Sequence, residues 1–296
     1  MVKNAVVVAT VVLVCVIGAP ASCPAQSSGR IVFVTTRDGA PEIYIMDSDG
    51  ANQHRLTFDR VKKAEPAWSP DAMLISYHAE DSNGHVGIHV MDSNGENHRQ
   101  LTNLYDMGAV WSPDEHTMAF YGWGDDNWEI YTMNTKGGEL SNISHHPMTD
   151  TYPTWSPDGR FLAFHTQRDG NWEIYTMNAD GTGQQRLTKN QARDWVPAWA
   201  PDGKRIAFWS DRDGSWQMYT MCVDGSAQQR ITDEPESSIS PREISRPAWS
   251  PESDAIAFVS IRDGNEEIYV MDSDGTNQRR LTFTEAREYD PAWSPY

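Results

Sequence analysis

The sequence Trp-x-Pro occurs six times in this 296-residue chain, at Trp68, Trp111, Trp155, Trp199, Trp249 and Trp293. Successive copies lie 43 or 44 residues apart, except for one gap of 50 between Trp199 and Trp249. A unit that returns at such a period cannot bury its apolar face alone, so the copies must stack on one another. This period is that of one four-stranded blade of a β-propeller.

The copy from Tyr152 to Pro197 displays the unit. Pro-Thr-Trp is a short strand, called a. Ser-Pro-Asp-Gly is a turn, in which proline presets φ and glycine takes the last position. Phe-Leu-Ala-Phe (strand b) and Glu-Ile-Tyr-Thr-Met (strand c) are apolar on both faces, as strands packed between neighbouring sheets must be. Arg168-Asp169-Gly170 joins them. An Asp-Gly hairpin then leads to strand d at Leu187-Thr188. Arg-Asp-Gly recurs at Arg37, Arg212 and Arg262, and Glu-Ile-Tyr-x-Met at Glu42, Glu129 and Glu267. The first such run, Ile31–Val34, is a strand b, and the last, Pro291–Trp293, is a strand a. The C-terminal strand must therefore complete the N-terminal blade, closing a six-bladed all-β ring with no free edge. Such a ring spans residues 30–296, leaves no room for a second domain, and predicts a monomer.

The Trp-Ser-Pro-Asp-Gly, Arg-Asp-Gly-Asn-x-Glu-Ile-Tyr-x-Met and Asp-Gly-x-x-x-x-x-Leu-Thr units resemble the WD40-like (PD40) repeats of TolB-type propellers. The resemblance covers residues 30 to 296. It implies a six-bladed propeller exported from the cytoplasm, with a protein-binding role at the cell envelope. The same repeats occur in propellers of prolyl-oligopeptidase-like peptidases and of some lyases.

Residues 1–25 read as a secretory signal. Lys3 supplies the positive start, Ala5–Ile17 the apolar core, and Ala19-Pro20-Ala21 the small residues before a cleavage point. This predicts a periplasmic or secreted protein. Cys23 follows Ala21-Ser22 like the end of a lipobox, although Pro20 stands where that motif wants an aliphatic residue. Attachment to a membrane would rest on its acylation. Cys15 lies inside the signal, and with Cys23 acylated Cys222 would stand alone, which argues against an intramolecular disulfide; Cys222 reads as a small buried strand residue. The formal charge of −18 argues against nucleic acid and anionic membrane surfaces and favours basic partners.

No catalytic motif emerges. Gly-x-Ser-x-Gly, His-Glu-x-x-His, a phosphate loop and a Cys pair are all missing from the sequence. Asp47-Ser48-Asp49-Gly50 and Asp272-Ser273-Asp274-Gly275 resemble calcium loops but lack the distal Glu, and read as hairpin turns. The strands a carry no histidine, and His145-His146 sits in a d-a loop, which weighs against metal-assisted lyase chemistry. The reading is no catalytic residue, no metal and no cofactor. A motif found in every blade serves the blade, so the six Trp are packing residues, and Trp128, Trp172 and Trp216 of the b-c hairpins follow the same logic.

What differs between copies is the better guide. The d-a loops vary while their flanks do not, and the insertion Glu234–Ser245 lengthens one of them. Glu65, Asp106, Asp150, Tyr152, Asp194, Trp195, Arg246, Tyr289 and Asp290 lie where these loops enter strand a, and are expected to ring the channel mouth on that face. Aromatic and acidic groups together suit a basic peptide segment, a protein loop or a sugar. The expected function is non-enzymatic protein or peptide recognition. The alternatives are a glycan lyase or hydrolase using rim carboxylates, and a lipid-anchored scaffold.

Overall fold

A computed structural model describes residues 29–81, 83–124, 126–235 and 244–296. Residues 1–25, expected to be a signal, with Cys15 and Cys23, and most of the Glu234–Ser245 insertion lie outside these residues.

Six four-stranded antiparallel sheets each follow the order a-b-c-d. Strand a is Glu288–Trp293 in blade 1, then Lys63–Trp68, Asp106–Trp111, Asp150–Trp155, Asp194–Trp199 and Ala248–Trp249 in blades 2 to 6. Strand b begins at Arg30, Leu74, Thr117, Phe161, Arg205 and Ala255 in the same order. Blade 1 is built from both ends of the chain: Trp293 pairs with Ile31 and Glu288 with Thr35. The C-terminal strand thus closes the ring.

Each blade face meets a different neighbour, which explains why strands b and c are apolar on both sides. In blade 4, Ile174 faces blade 5, where it packs with Phe208, Tyr219 and Met221. Tyr175 and Met177 face the other way, onto Ala119, Tyr121 and Ile130 of blade 3. Buried aromatic and branched side chains fill every seam and dominate the stability of the ring.

The polar repeat residues are clips. The Arg168 guanidinium donates two 2.9 Å bonds to Asp150, the first residue of strand a, and lies over the Tyr175 ring. Arg212 holds Asp194 at 3.0 Å, and Arg37 holds Glu288 at 3.0 Å. The glutamate of Glu-Ile-Tyr-x-Met is equally occupied. Glu173 accepts from Arg186 at 2.6 Å and from Thr188 of the Leu-Thr unit at 2.5 Å. These carboxylates are buried, and partnering is the condition on which a protein interior tolerates them.

Cys222 departs from its expected place. It is exposed. It ends strand c of blade 5 at the hairpin turn, where other blades place Asp47, Asn134, Asn178 and Asp272. The turn, not the seam, surrounds that position.

Candidate functional site

Strand a faces the ring axis, and its register slips in blades 1 to 5. The shifts lie between Ala64 and Ala67, Met107 and Val110, Thr151 and Thr154, and Trp195 and Ala198, and opposite Val32 and Val34 in blade 1. At each bulge the residue three before the Trp adopts a left-handed backbone: Glu65 (φ 51°), Gly108 (64°), Tyr152 (55°), Val196 (50°) and Asp290 (51°). Side-chain-bearing residues, a β-branched valine above all, take this conformation at a cost, and bulges serve to re-aim side chains. The residue three before Trp249 is Arg246.

Four of these six residues form one polar cluster across the axis. The Glu65 backbone N–H donates to Asp290 Oδ2 at 3.0 Å. Its carboxylate faces His78 Nδ1 at 3.2 Å and accepts from Tyr121 at 3.1 Å. Arg246, from blade 6, donates to the Pro153 carbonyl of blade 4 at 2.8 Å and sits over the Tyr152 ring. Those blades are not neighbours, so this side chain crosses the channel. Gly108 makes room for the cluster: a Cβ there would lie 2.3 Å from the Tyr121 ring, which would block the reach of that hydroxyl to Glu65.

The electrostatics follow from enclosure. Burial works to raise the Glu65 carboxyl, but His78, Arg246 and Tyr152 together outweigh it and hold it below its ordinary value. Asp290 goes the other way. Burial first, and the neighbouring Glu65 charge second, push it up to about 6. Arg246 is lowered by burial despite the surrounding acids. Tyr121 and Tyr152 are raised well above the ordinary range, burial being the main cause. Two carboxylates thus share one arginine in a confined space.

This cluster is the floor of a cavity of about 420 Å³. Its walls come from the rest of strand a. The residue before each Trp is small in most blades, with Ala67, Ala198, Ala248 and Ala292 all lining the space. The Trp-x-Pro turns form the rim. The cavity therefore opens on the face that carries the a-b turns, opposite the d-a loops. The tryptophans pack the seams, with Trp68, Trp111, Trp249 and Trp293 buried, and they also line the funnel.

Of the residues expected to ring the mouth, Glu65, Tyr152, Arg246 and Asp290 come together at the funnel floor. Asp150 and Asp194 do not join them; both have no exposed surface and are held by Arg168 and Arg212. Asp106 is buried in blade 3, where the sequence has Gly124-Asp125-Asp126 in place of Arg-Asp-Gly and no arginine among the described residues clips it. Burial raises its carboxyl. Trp195 stacks on Trp216 at 5.0 Å and on His165 at 5.9 Å. His165, with Thr151 on one nitrogen and the Val196 N–H on the other, is driven down to about 3 by burial and by Arg246, and stays neutral. Tyr289 packs in the seam of blades 6 and 1 beneath Arg287. Sequence reading missed Gly108, His78 and Tyr121. Counting three back from every Trp would have found Gly108 and excluded Asp106 and Trp195. Among the described residues, no group of three or more His, Cys, Asp or Glu is arranged to hold a metal ion.

A closed ring with an axial funnel defines a six-bladed β-propeller. The chain belongs to the TolB beta propeller domain family (PD40), matched over residues 6–121 and 82–246. It is 31% identical over 126 residues to a TolB homolog of Chlorobium chlorochromatii, covering 42% of this chain and 28% of that protein. It is 48% identical over 44 residues to the Tol-Pal system protein TolB of Geobacter sulfurreducens, covering 15% of this chain and 10% of that one. The matched stretches thus span well under a third of these relatives. The fold is similar to the crystal structure of TolB from Acinetobacter baumannii, with a TM-score of 0.79 and 23% identity, over 92% of this chain and 68% of that one.

Proposed function

We propose that this chain is an exported, non-enzymatic binding propeller that captures a segment of a partner protein at its axis. The observation that carries the reading is the funnel. It is a preformed concave space with largely apolar walls and a few polar groups at its floor, the usual anatomy of a recognition site. Its size suits one or two side chains rather than a folded surface. Relatives named as Tol-Pal system proteins support a role at the cell envelope, and Lys3, Ala5–Ile17 and Ala19-Pro20-Ala21 support export. The floor carboxylates are committed to His78, Arg246, Tyr121 and a backbone N–H, which favours binding over proton transfer.

The test is a pull-down from envelope extract with the mature chain, and with a variant carrying both Ala248→Phe and Ala292→Phe. Both alanines line the cavity, so the rings fill it, and a melting temperature near the native value checks that the seams they border stay intact. A polypeptide held by the native chain and lost by the variant is the expected result. Turnover of any member of a glycan panel that disappears in the same variant would overturn the non-enzymatic reading. Mass spectrometry of the mature N-terminus tests acylation of Cys23.

A further inference from the structure

The funnel does not stop at the axis. Ser156, Pro157 and Trp199 line it and also line a second cavity of about 680 Å³. This groove leaves the axis on the a-b turn face and follows the flank of blade 4 past Phe161 of strand b and Thr176 of strand c to Gln185 and Leu187 at strand d. Blade 5 supplies the opposite wall with Trp199, Asp202 and Gly203, then Val223 and Asp224 of its c-d turn.

Two other seams are roofed where this one is open. In blade 5, strand b begins with Arg205, whose guanidinium lies 4.8 Å over the Trp249 ring and bonds the Ser253 carbonyl at 2.7 Å. In blade 1 the same position is Arg30, 5.6 Å from the Trp68 ring. Each arginine roofs the tryptophan of the next blade. In blade 4 that position is Phe161, and Trp199 is left partly exposed. The indole N–H groups of Trp68, Trp111 and Trp249 donate to the carbonyls of Ala292, Ala67 and Ala198. That of Trp199 has no acceptor among the described residues, and the same holds for Trp155 in the preceding blade.

The two cavities together carry five carboxylates, Glu65, Asp290, Asp158, Asp202 and Asp224, against Arg246 alone among their lining residues. Nearby, Arg160 is 74% exposed and 3.9 Å from Asp158, and Arg205 is spent on Asp202 and Ser253. Between acidic edges, the groove floor is apolar, formed by Phe161, Leu187 and Val223. An extended chain fits such a slot. Four strands spaced about 4.8 Å apart put roughly 15 Å between strand a and strand d, a span of about five extended residues.

We infer that funnel and groove form one bent site for an extended, cationic peptide segment. One lysine or arginine enters the funnel toward Asp290 and Glu65. The following five or so residues lie radially over the seam of blades 4 and 5, apolar side chains on Phe161 and Leu187 and further cations on the three aspartates. A cation in the funnel relieves the crowding of two carboxylates around one arginine, so it gains more there than at an exposed carboxylate. The inference rests on axial capture of a protein segment and specifies its chemistry and its path.

The experiment is selection of a linear twelve-residue phage-displayed library on the mature protein. Enriched peptides are then titrated by fluorescence anisotropy against three variants. Phe161→Arg places here the roof that Arg30 and Arg205 form at their seams and closes the groove. Asp158→Asn, Asp202→Asn and Asp224→Asn together remove only groove charge. Ala248→Phe with Ala292→Phe fills the funnel. Enriched peptides are expected to carry Lys or Arg beside apolar residues and to bind at least tenfold more weakly to Phe161→Arg. Against the triple asparagine variant the loss is about tenfold, from three partly exposed pairs, and it shrinks in high salt. The funnel variant abolishes binding. Loss in the funnel variant alone overturns the radial path and leaves axial capture standing. Equal binding to all three variants overturns axial capture itself. Enrichment of acidic or uncharged peptides, or no enrichment together with oligosaccharide binding on an array, overturns the cationic assignment. Variant melting temperatures within a few degrees of the native value confirm that the ring is intact.

Discussion

Asp290→Asn is expected to stabilise this protein at neutral pH and to leave it unchanged in acid. The folded-state value of Asp290 stands at about 6, against an ordinary 3.8, because burial and the Glu65 charge both oppose its ionisation. Between pH 4 and 6 the folded chain retains a proton that the unfolded chain has released. Stability therefore falls as pH rises through this window, and the full cost is present above pH 6. A displacement of this size corresponds to about 2–3 kcal/mol. Asparagine removes the charge but keeps an oxygen for the Glu65 N–H, and the Ser245 hydroxyl that holds the Asp290 backbone N–H is untouched. The assay is thermal unfolding of native and variant chains from pH 4 to pH 8. The gain should be near zero at pH 4 and reach roughly 4–12 °C at pH 7, on the scale of about 2–4 °C per kcal/mol for a chain of this size. A gain that does not change with pH, or a variant less stable at pH 7, would refute the view that two crowded carboxylates share this site.

Other consequences can be checked the same way. Arg168→Met strands the buried Asp150 carboxylate and should cost about 3–5 kcal/mol, read as a lower urea midpoint; combining it with Asp150→Leu should recover much of the loss. Gly108→Ala places a methyl 2.3 Å from the Tyr121 ring on a left-handed backbone. A loss of about 2 kcal/mol or more and an altered near-ultraviolet circular dichroism are expected. Deleting residues 290–296 removes most of the strand that pairs with Ile31 and Val32 and exposes an edge, so the melting temperature should drop sharply and aggregation begin on heating. An unchanged melt would contradict end-to-end closure.

Asp150 and Asp194 show why the rim is hard to read from sequence, and Glu288 of blade 1 is held in the same way. An acid at the entry of strand a looks like a rim carboxylate until the Arg-Asp-Gly turn of its own blade is placed beside it. That pairing joins residues 18 apart, or 251 apart in blade 1. Phe161 is a similar case. Arg30 and Arg205 roof their seams from this position, whereas Phe161, like Leu74, Thr117 and Ala255, cannot, and only the closed ring shows that the seam beside Phe161 is open.

Local pattern settled the architecture. The period of Trp-x-Pro set the blade count, alternation of turn and apolar run set four strands per blade, and the phase of the first and last strands required closure. Each of these is encoded within one repeat or in the count of repeats, so sequence suffices. The site was settled elsewhere. A bulge in strand a rotates Glu65, Tyr152 and Asp290 onto the axis, and the ring brings Arg246 across from blade 6 to meet them. Which face opens, which carboxylates gather at the axis and which seam parts all depend on contacts between blades. Those contacts join residues tens to hundreds of positions apart, and only the closed ring puts them side by side.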